Sequence, residues 1–334
     1  MVRRAHVGAF GTTSSGSPSQ RRYAFTPQGL GGSCGSISVM VPLPGWDERP
    51  ISVDGAILEK SLKGMSGKLT LTLTDKVFQI KMGRTRVKLV PGPFESECYP
   101  EPSPDLTWTP VEPGFGDLIR ACAFTNKTGY EGVACANVND TKLLISTNEA
   151  RIYYKEVPRD LPTFWLTTSS AMGVNDAGTE IVAVASDGMW VHFKYEDGTV
   201  FSTLTKDIKD YPIVELYNYI QSFNAGKEIA NGQFPAEGLA AIKAAATFAE
   251  GTNGQKPVKL KYANGVLTIE AANKSGEYSQ DIDWAGPQEP FGVAVDAVFM
   301  NAVKASEFRL VEIPDLSVMM VPGAVNALMA LDNV

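Results

Sequence analysis

Between Ile51 and Pro91 the spacing of apolar positions switches from helical to alternating. Val53, Ile57, Leu58, Leu62 and Met65 recur at helical intervals and form one apolar face. Asp54 stands where a helix N-cap belongs, and Gly64 or Gly67 can end the segment. Lys60 and Lys63, three apart, share a face away from the apolar stripe. Leu69, Leu71 and Leu73 then alternate with polar residues, as do Phe78, Ile80 and Met82, and finally Val87 and Leu89. "TDK" and "GR" supply the turns. The segment predicts a strand, a helix and three strands.

The same grammar returns along the chain. A helix is predicted around 118–124, followed by strands turning at "VNDT" and "TNEA". A poor short helix after "TFWL" precedes strands turning at "SDG" and "EDG". The clearest helix is predicted over 237–250, before strands turning at "ANG" and "KSG". "FGVAVDAVFMNAVKASEFRLVEIPDLSVMMVPG" closes the series. The repeat period is roughly 45–55 residues, a signature of tiled supersecondary units. "YPEPSPDLTWTPVEPG" (99–114) and "QSFNAGKEIANGQ" (221–233) read as linkers. Three domains follow: 1–107, 108–227 and 228–334. The first is shortened, with strands at "RRYAFTP" and "GSISVMVPL" and no obvious leading helix. The fold class is α+β.

Composition narrows the function. The 334 residues are 44% hydrophobic and 20% charged, ample for globular cores, with a formal net charge of −7. A protein that coats nucleic acid is normally basic, so any such contact must come from local patches. No run of 18 apolar residues suggests a membrane span. Cys34, Cys98, Cys122 and Cys135 lack CxxC spacing and read as reduced, buried thiols of a cytosolic protein. His6 and His192 are the only histidines, too few for a multi-His metal site, and His192 reads as a strand residue. The first 46 residues hold Arg3, Arg4, Arg21 and Arg22 and no acid. They read as a solvated or nucleic-acid-touching arm in preference to a transit peptide. "GLGGSCGS" (29–36) lacks the lysine of a phosphate loop and reads as a turn between edge strands. No Walker, HExxH or GxSxG motif points to an enzyme, and no cofactor is implied.

Several strings, in order, resemble the bacterial-type DNA sliding clamp, the beta subunit of DNA polymerase III. "GRTRVKL" (83–89) is similar to the family's glycine-arginine-x-arginine strand. "LLISTNEARIYY" (143–154) sits where the family carries a threonine-aspartate-glycine-histidine-arginine turn. "FSTLTKDIKDYPIVELY" (201–217) and "SVMMVPGAV" (317–325) are similar to the run into the second linker and to the family's C-terminal ending. The likeness covers about residues 20 to 325.

This resemblance implies a ring of head-to-tail chains, usually two, that encircles duplex DNA without reading its sequence and tethers a replicative polymerase. It implies that helix cations face the phosphates: Lys60, Lys63, Arg120, Lys243 and Lys304. Without the resemblance these are ordinary solvated helix side chains. It also implies a greasy pocket for short peptides of the polymerase and the clamp loader, carried by Tyr130, Thr147, Arg151, Ile152, Pro212, Leu216, Tyr217, Met319 and Val321. The alternative for these nine is plain interface core. Glu149 and Ala150 replace the family's glycine-histidine, and a glutamate there would disfavour acidic peptides. The apolar tail "NALMALDNV" (326–334) is expected to fold back over the pocket. Divergence on this scale fits a phage-encoded version, working in the cytoplasm at a nucleoid or viral replication site. The alternative functions are a clamp-fold interaction protein that does not encircle DNA, such as a co-activator or decoy, and a virion structural protein.

Overall fold

The computed structural model describes residue 5 and residues 22–63, 68–123, 130–148, 151–251, 256–287, 289–303, 307–314 and 316–333. The question of a leading helix in the first domain, Lys304, and the Glu149–Ala150 departure lie outside them. The chain divides into two compact units, residues 1–126, 131–144 and 156–211 in the first, and 127–130, 145–155 and 212–334 in the second. The three-part cut at 107 and 228 is a different partition. Position 107 precedes a two-residue strand, and 228 falls inside another strand.

In chain order, the elements begin with β1 (Arg22–Thr26), β2 (Gly29–Ser33), β3 (Ile37–Val41), β4 (Ile51–Asp54) and α1 (Gly55–Leu62). Next come β5 (Thr70–Leu73), β6 (Phe78–Met82), β7 (Thr85–Leu89), β8 (Thr109–Pro110) and α2 (Phe115–Cys122). Then follow β9 (Val133–Val138), β10 (Thr141–Thr147), β11 (Arg151–Glu156), β12 (Phe164–Leu166) and α3 (Thr168–Asp176). The middle of the chain supplies β13 (Ile181–Ser186), β14 (Trp190–Tyr195), β15 (Val200–Leu204), α4 (Ile213–Ala225) and β16 (Lys227–Gln233). The rest is α5 (Gly238–Ala245), β17 (Pro257–Ala263), β18 (Val266–Asn273), β19 (Gly276–Asp283), β20 (Phe291–Asp296), α6 (Ala297–Val303), β21 (Glu307–Ile313), β22 (Leu316–Val321) and β23 (Asn326–Asn333).

In the first unit an antiparallel sheet runs β4-β1-β2-β3-β15-β14-β13-β8. A separate sheet is β5-β6-β7, and β12, β9 and β10 are neighbours in that order. The Asp54 carboxylate accepts a hydrogen bond from the Ile57 backbone N–H at 2.8 Å, so the cap predicted for α1 is made. Leu58 of α1 is fully buried, and Phe25, Trp46 and Phe78 form an aromatic cluster with centroids 4.6–5.7 Å apart. Phe164, Phe193 and Phe201 make the corresponding core under the β13–β15 strands.

Of the glycine-rich stretch 29–36, the turn is confined to Cys34–Ser36. Gly29–Ser33 is a fully buried strand between β1 and β3. The Tyr99 ring lies where a Cβ on Gly31 would come within 2.9 Å, and its hydroxyl donates to the Arg22 carbonyl at 2.9 Å. The absent side chains let an aromatic ring pack on the backbone.

In the second unit β11-β23-β20-β17-β18-β19 are neighbours, and β16-β21-β22 joins them by pairing β22 with β23. Tyr262, Trp284, Phe291, Phe308 and Phe234 fill its aromatic core. Residues 221–233 are not a free linker: they end α4, which buries Ile220 and Phe223, and form β16 on the edge of β21. Their polarity reflects an edge strand on which Ala230 is the one buried residue. The 237–250 helix is shorter than predicted, spanning Gly238–Ala245. The tail reaches the cavity as part of its wall and not as a loose cover. Residues 326–333 are β23, hydrogen-bonded to β22 on one side and to β11 and β20 on the other.

Candidate functional site

A cavity of about 310 Å³ opens in the second unit, and three segments build it. Thr147 ends β10, Arg151 and Ile152 begin β11, and Tyr130 lies beside them. The Thr147 hydroxyl donates to the Arg151 carbonyl at 2.9 Å and ties the two strand ends together. Pro212, Glu215, Leu216 and Tyr219 come from the start of α4, at intervals of three and four that place them on one helix face. Leu316, Leu328 and Ala330 come from β22 and β23.

Six of the nine residues singled out in sequence are thus together: Tyr130, Thr147, Arg151, Ile152, Pro212 and Leu216. Tyr217, Met319 and Val321 are not among the lining residues. Tyr217 lies one position past Leu216 and two before Tyr219, off their helix face. Met319 and Val321 are buried on the opposite face of the sheet. The register pairs Ile152 with Leu328 and Leu328 with Met320, whereas Met319 pairs with Met329 and Val321 with Ala327. Side chains alternate along a strand, so a phase of one residue decides the face. Glu215, Tyr219, Leu316, Leu328 and Ala330 escape the sequence reading. The i, i+4 continuation of α4 beyond Tyr217 and the alternation within "NALMALDN" are the signals that could have found them.

Two lining side chains carry charge. Arg151 pairs with Asp296, both side chains largely buried at 16% and 10% exposure, and its guanidinium lies 5.5 Å from the Phe299 ring centroid. The Asp296 carboxylate also accepts from the backbone N–H of Val298 at 2.9 Å and of Lys256 at 3.1 Å. Glu215 is exposed and makes no ion pair among the described residues. The Tyr219 hydroxyl is shielded from solvent and has no hydrogen-bond partner among the described residues. Burial pushes its phenol up to about 12, so it stays protonated at neutral pH.

Of the helix cations, Lys60 and Lys63 are exposed at the end of α1 and Lys243 is exposed on α5. Arg120 on α2 is half exposed, with Asp176 3.9 Å away. Each of the three helices buries its other face: Leu58 in α1, Phe115 and Ile119 in α2, Ala241 and Ile242 in α5.

Two sheet edges are also distinctive. β7 has β6 as its one neighbour and β19 has β18, among the described residues. On β7, Arg86 and Lys88 are exposed on one face, with Lys81 of β6 directly opposite Arg86. On β19, Glu277, Asp281 and Asp283 are exposed on one face.

No protein-family model and no curated protein sequence matches the chain. Among solved structures, the beta subunit of DNA polymerase from Streptococcus pyogenes superposes with a TM-score of 0.79 at 13% identity, over 100% of this chain and 97% of that one. The chain has the fold of a bacterial DNA sliding clamp. The Pseudomonas aeruginosa DNA polymerase sliding clamp gives a TM-score of 0.75 at 12% identity, covering 100% and 97% of the two chains. The Helicobacter pylori beta clamp bound to a DNA ligase peptide gives 0.76 at 17%, covering 100% and 96%. The sliding-clamp fold therefore extends over the whole chain, with the α+β class expected from the repeated units. No helix among the described residues is long and apolar enough to cross a membrane.

Proposed function

We propose that this protein is a DNA sliding clamp, a non-catalytic processivity factor whose two copies close head to tail into a ring around duplex DNA. The observation that carries the reading is the pair of open sheet edges with opposite charge. β7 offers Arg86 and Lys88 with the backbone of an edge strand, and β19 offers Glu277, Asp281 and Asp283 in the same setting. Like charges directly across a sheet repel, as Lys81 and Arg86 do, and carboxylates on an added strand relieve that repulsion. Half-exposed Val87 and Leu89 on β7, and the stacked Phe248 and Tyr278 beside β19, supply apolar surface for the same junction. The two edges differ, so the contact is heterologous, and such contacts close into rings or run on as filaments.

Lys60, Lys63, Arg120, Lys243 and Lys304 serve the DNA phosphates in this reading, weakly enough to permit sliding. The cavity on the second unit receives peptides of the polymerase and loader, in keeping with the peptide-bound Helicobacter clamp. The three-domain partition at 107 and 228, a phage origin and a replication-site location belong to the same proposal.

The test is mass in solution together with retention on DNA. A dimer that stays on nicked circular DNA in high salt and is lost on linearisation supports the ring, because topological linkage resists screening whereas phosphate contacts do not. A monomer at every concentration, with no retention, leaves a clamp-fold interaction protein that does not encircle DNA.

A further inference from the structure

The cavity holds a charge that the fold leaves uncompensated and a hydroxyl that the fold leaves unpartnered. Arg151 is spent internally: its guanidinium pairs with Asp296, which is itself fixed by the backbone N–H groups of Val298 and Lys256. An anionic ligand would have to compete with a largely buried carboxylate for it. Glu215 has no such partner among the described residues and stands exposed in the first turn of α4. With Arg151 paired to Asp296, Glu215 is the lining charge left open to a ligand. Tyr219, one turn further along the same helix face, presents a proton donor without an acceptor among the described residues. A buried hydroxyl left unpaired is costly, and a ligand carbonyl removes that cost. The remaining walls are apolar: Ile152, Pro212, Leu216, Leu316 and Leu328.

We propose that Glu215 makes this cavity selective for peptides that carry a lysine or arginine next to their apolar anchor residues, with a peptide carbonyl accepting from the Tyr219 hydroxyl. The inference rests on the cavity being a peptide site. An acid in the first turn of a helix also stabilises the helix by itself, so stability alone does not separate the two roles of Glu215.

The experiment measures fluorescence anisotropy of three labelled peptides that share a leucine-rich core and differ in one flanking residue: Lys, Gln or Glu. The full-length protein should bind the Lys peptide about tenfold tighter than the Glu peptide, as one partly exposed charge partner allows. Glu215→Gln should bring all three within about twofold of one another, Glu215→Asp should keep the preference, and Glu215→Lys should reverse it. Tyr219→Phe should weaken all three by a similar factor, about fivefold, without changing their order. A merely helix-stabilising Glu215 would shift melting temperature in these variants and leave the peptide order untouched. Equal binding of the three peptides, or a preference that survives Glu215→Gln, overturns the inference while leaving the peptide site intact. If none of the three binds, the cavity is not a peptide site and the inference falls with it.

Discussion

His192 lies on β14 with its ring buried, Nδ1 hydrogen-bonded to Ser202 Oγ at 2.8 Å and Nε2 3.8 Å from the Asp187 carboxylate. Burial lowers its pKa below the ordinary value of 6.5, and Asp187 offsets part of that shift. The unfolded chain takes up a proton near pH 6.5 while the folded chain resists it. The stability this neutral ring contributes is present in full above that pH and is lost as pH falls below it. Denaturant melts between about pH 7 and about pH 5 are expected to show wild type losing stability, by at most about 1.4 kcal/mol per pH unit from this group, with a shallower loss in His192→Asn. The sequence shows His192 as a strand residue, because alternation with Val191 and Phe193 is a local signal. It does not show the Ser202 hydroxyl or Asp187 beside the ring, which the pairing of β14 with β15 and the turn at its start bring there. Asp54 is legible for the same reason in reverse, since its partner is three residues away. Arg151 is legible as a pocket residue, but Asp296, far away in sequence, is not.

At the scale of elements, the strand–helix–strand rhythm is readable wherever apolar periodicity is strong, and fails where tertiary packing supplies the missing signal. Gly29–Ser33 has no apolar alternation to read, yet it is a buried strand because Tyr99 covers it. The sequence presents β23 as a loose tail, although its alternation puts Leu328 and Ala330 into the cavity wall. Deleting 326–334 is therefore expected to abolish the cooperative melt of the second unit and its peptide binding together. Retained melting with tighter binding would instead favour a tail that covers the pocket. The open edges make a separate prediction. Arg86→Glu with Lys88→Glu should reduce self-association at least about tenfold, and adding Glu277→Lys with Asp281→Lys in the same chain should restore it, read by sedimentation equilibrium. Restoration by unrelated surface lysines would remove the edge-to-edge account.

For the whole molecule, the acidic balance excludes a coat of nucleic acid, and the repeated grammar points to a tiled architecture. Neither says where Lys60, Lys63, Arg120 and Lys243 stand, and the structure places each on the exposed side of a half-buried helix. Replacing these four and Lys304 by Ala should lower DNA retention and flatten its salt dependence, by up to about 0.9 in log–log slope for each phosphate no longer neutralised, with the oligomer unchanged. An unaltered slope would remove these cations from the proposed DNA contact. One seam bears on how the chain holds together. β3 and β15 are zipped from Met40 opposite Val200 to Ile37 opposite Thr203, so partners distant in the chain hold each other edge to edge. The proline-rich stretch 99–114, which lies between them in the chain, is then not what keeps them together. A protein severed there, or made as two polypeptides and mixed, has a ready means of self-repair, and the same seam must wait during folding until its late strand arrives.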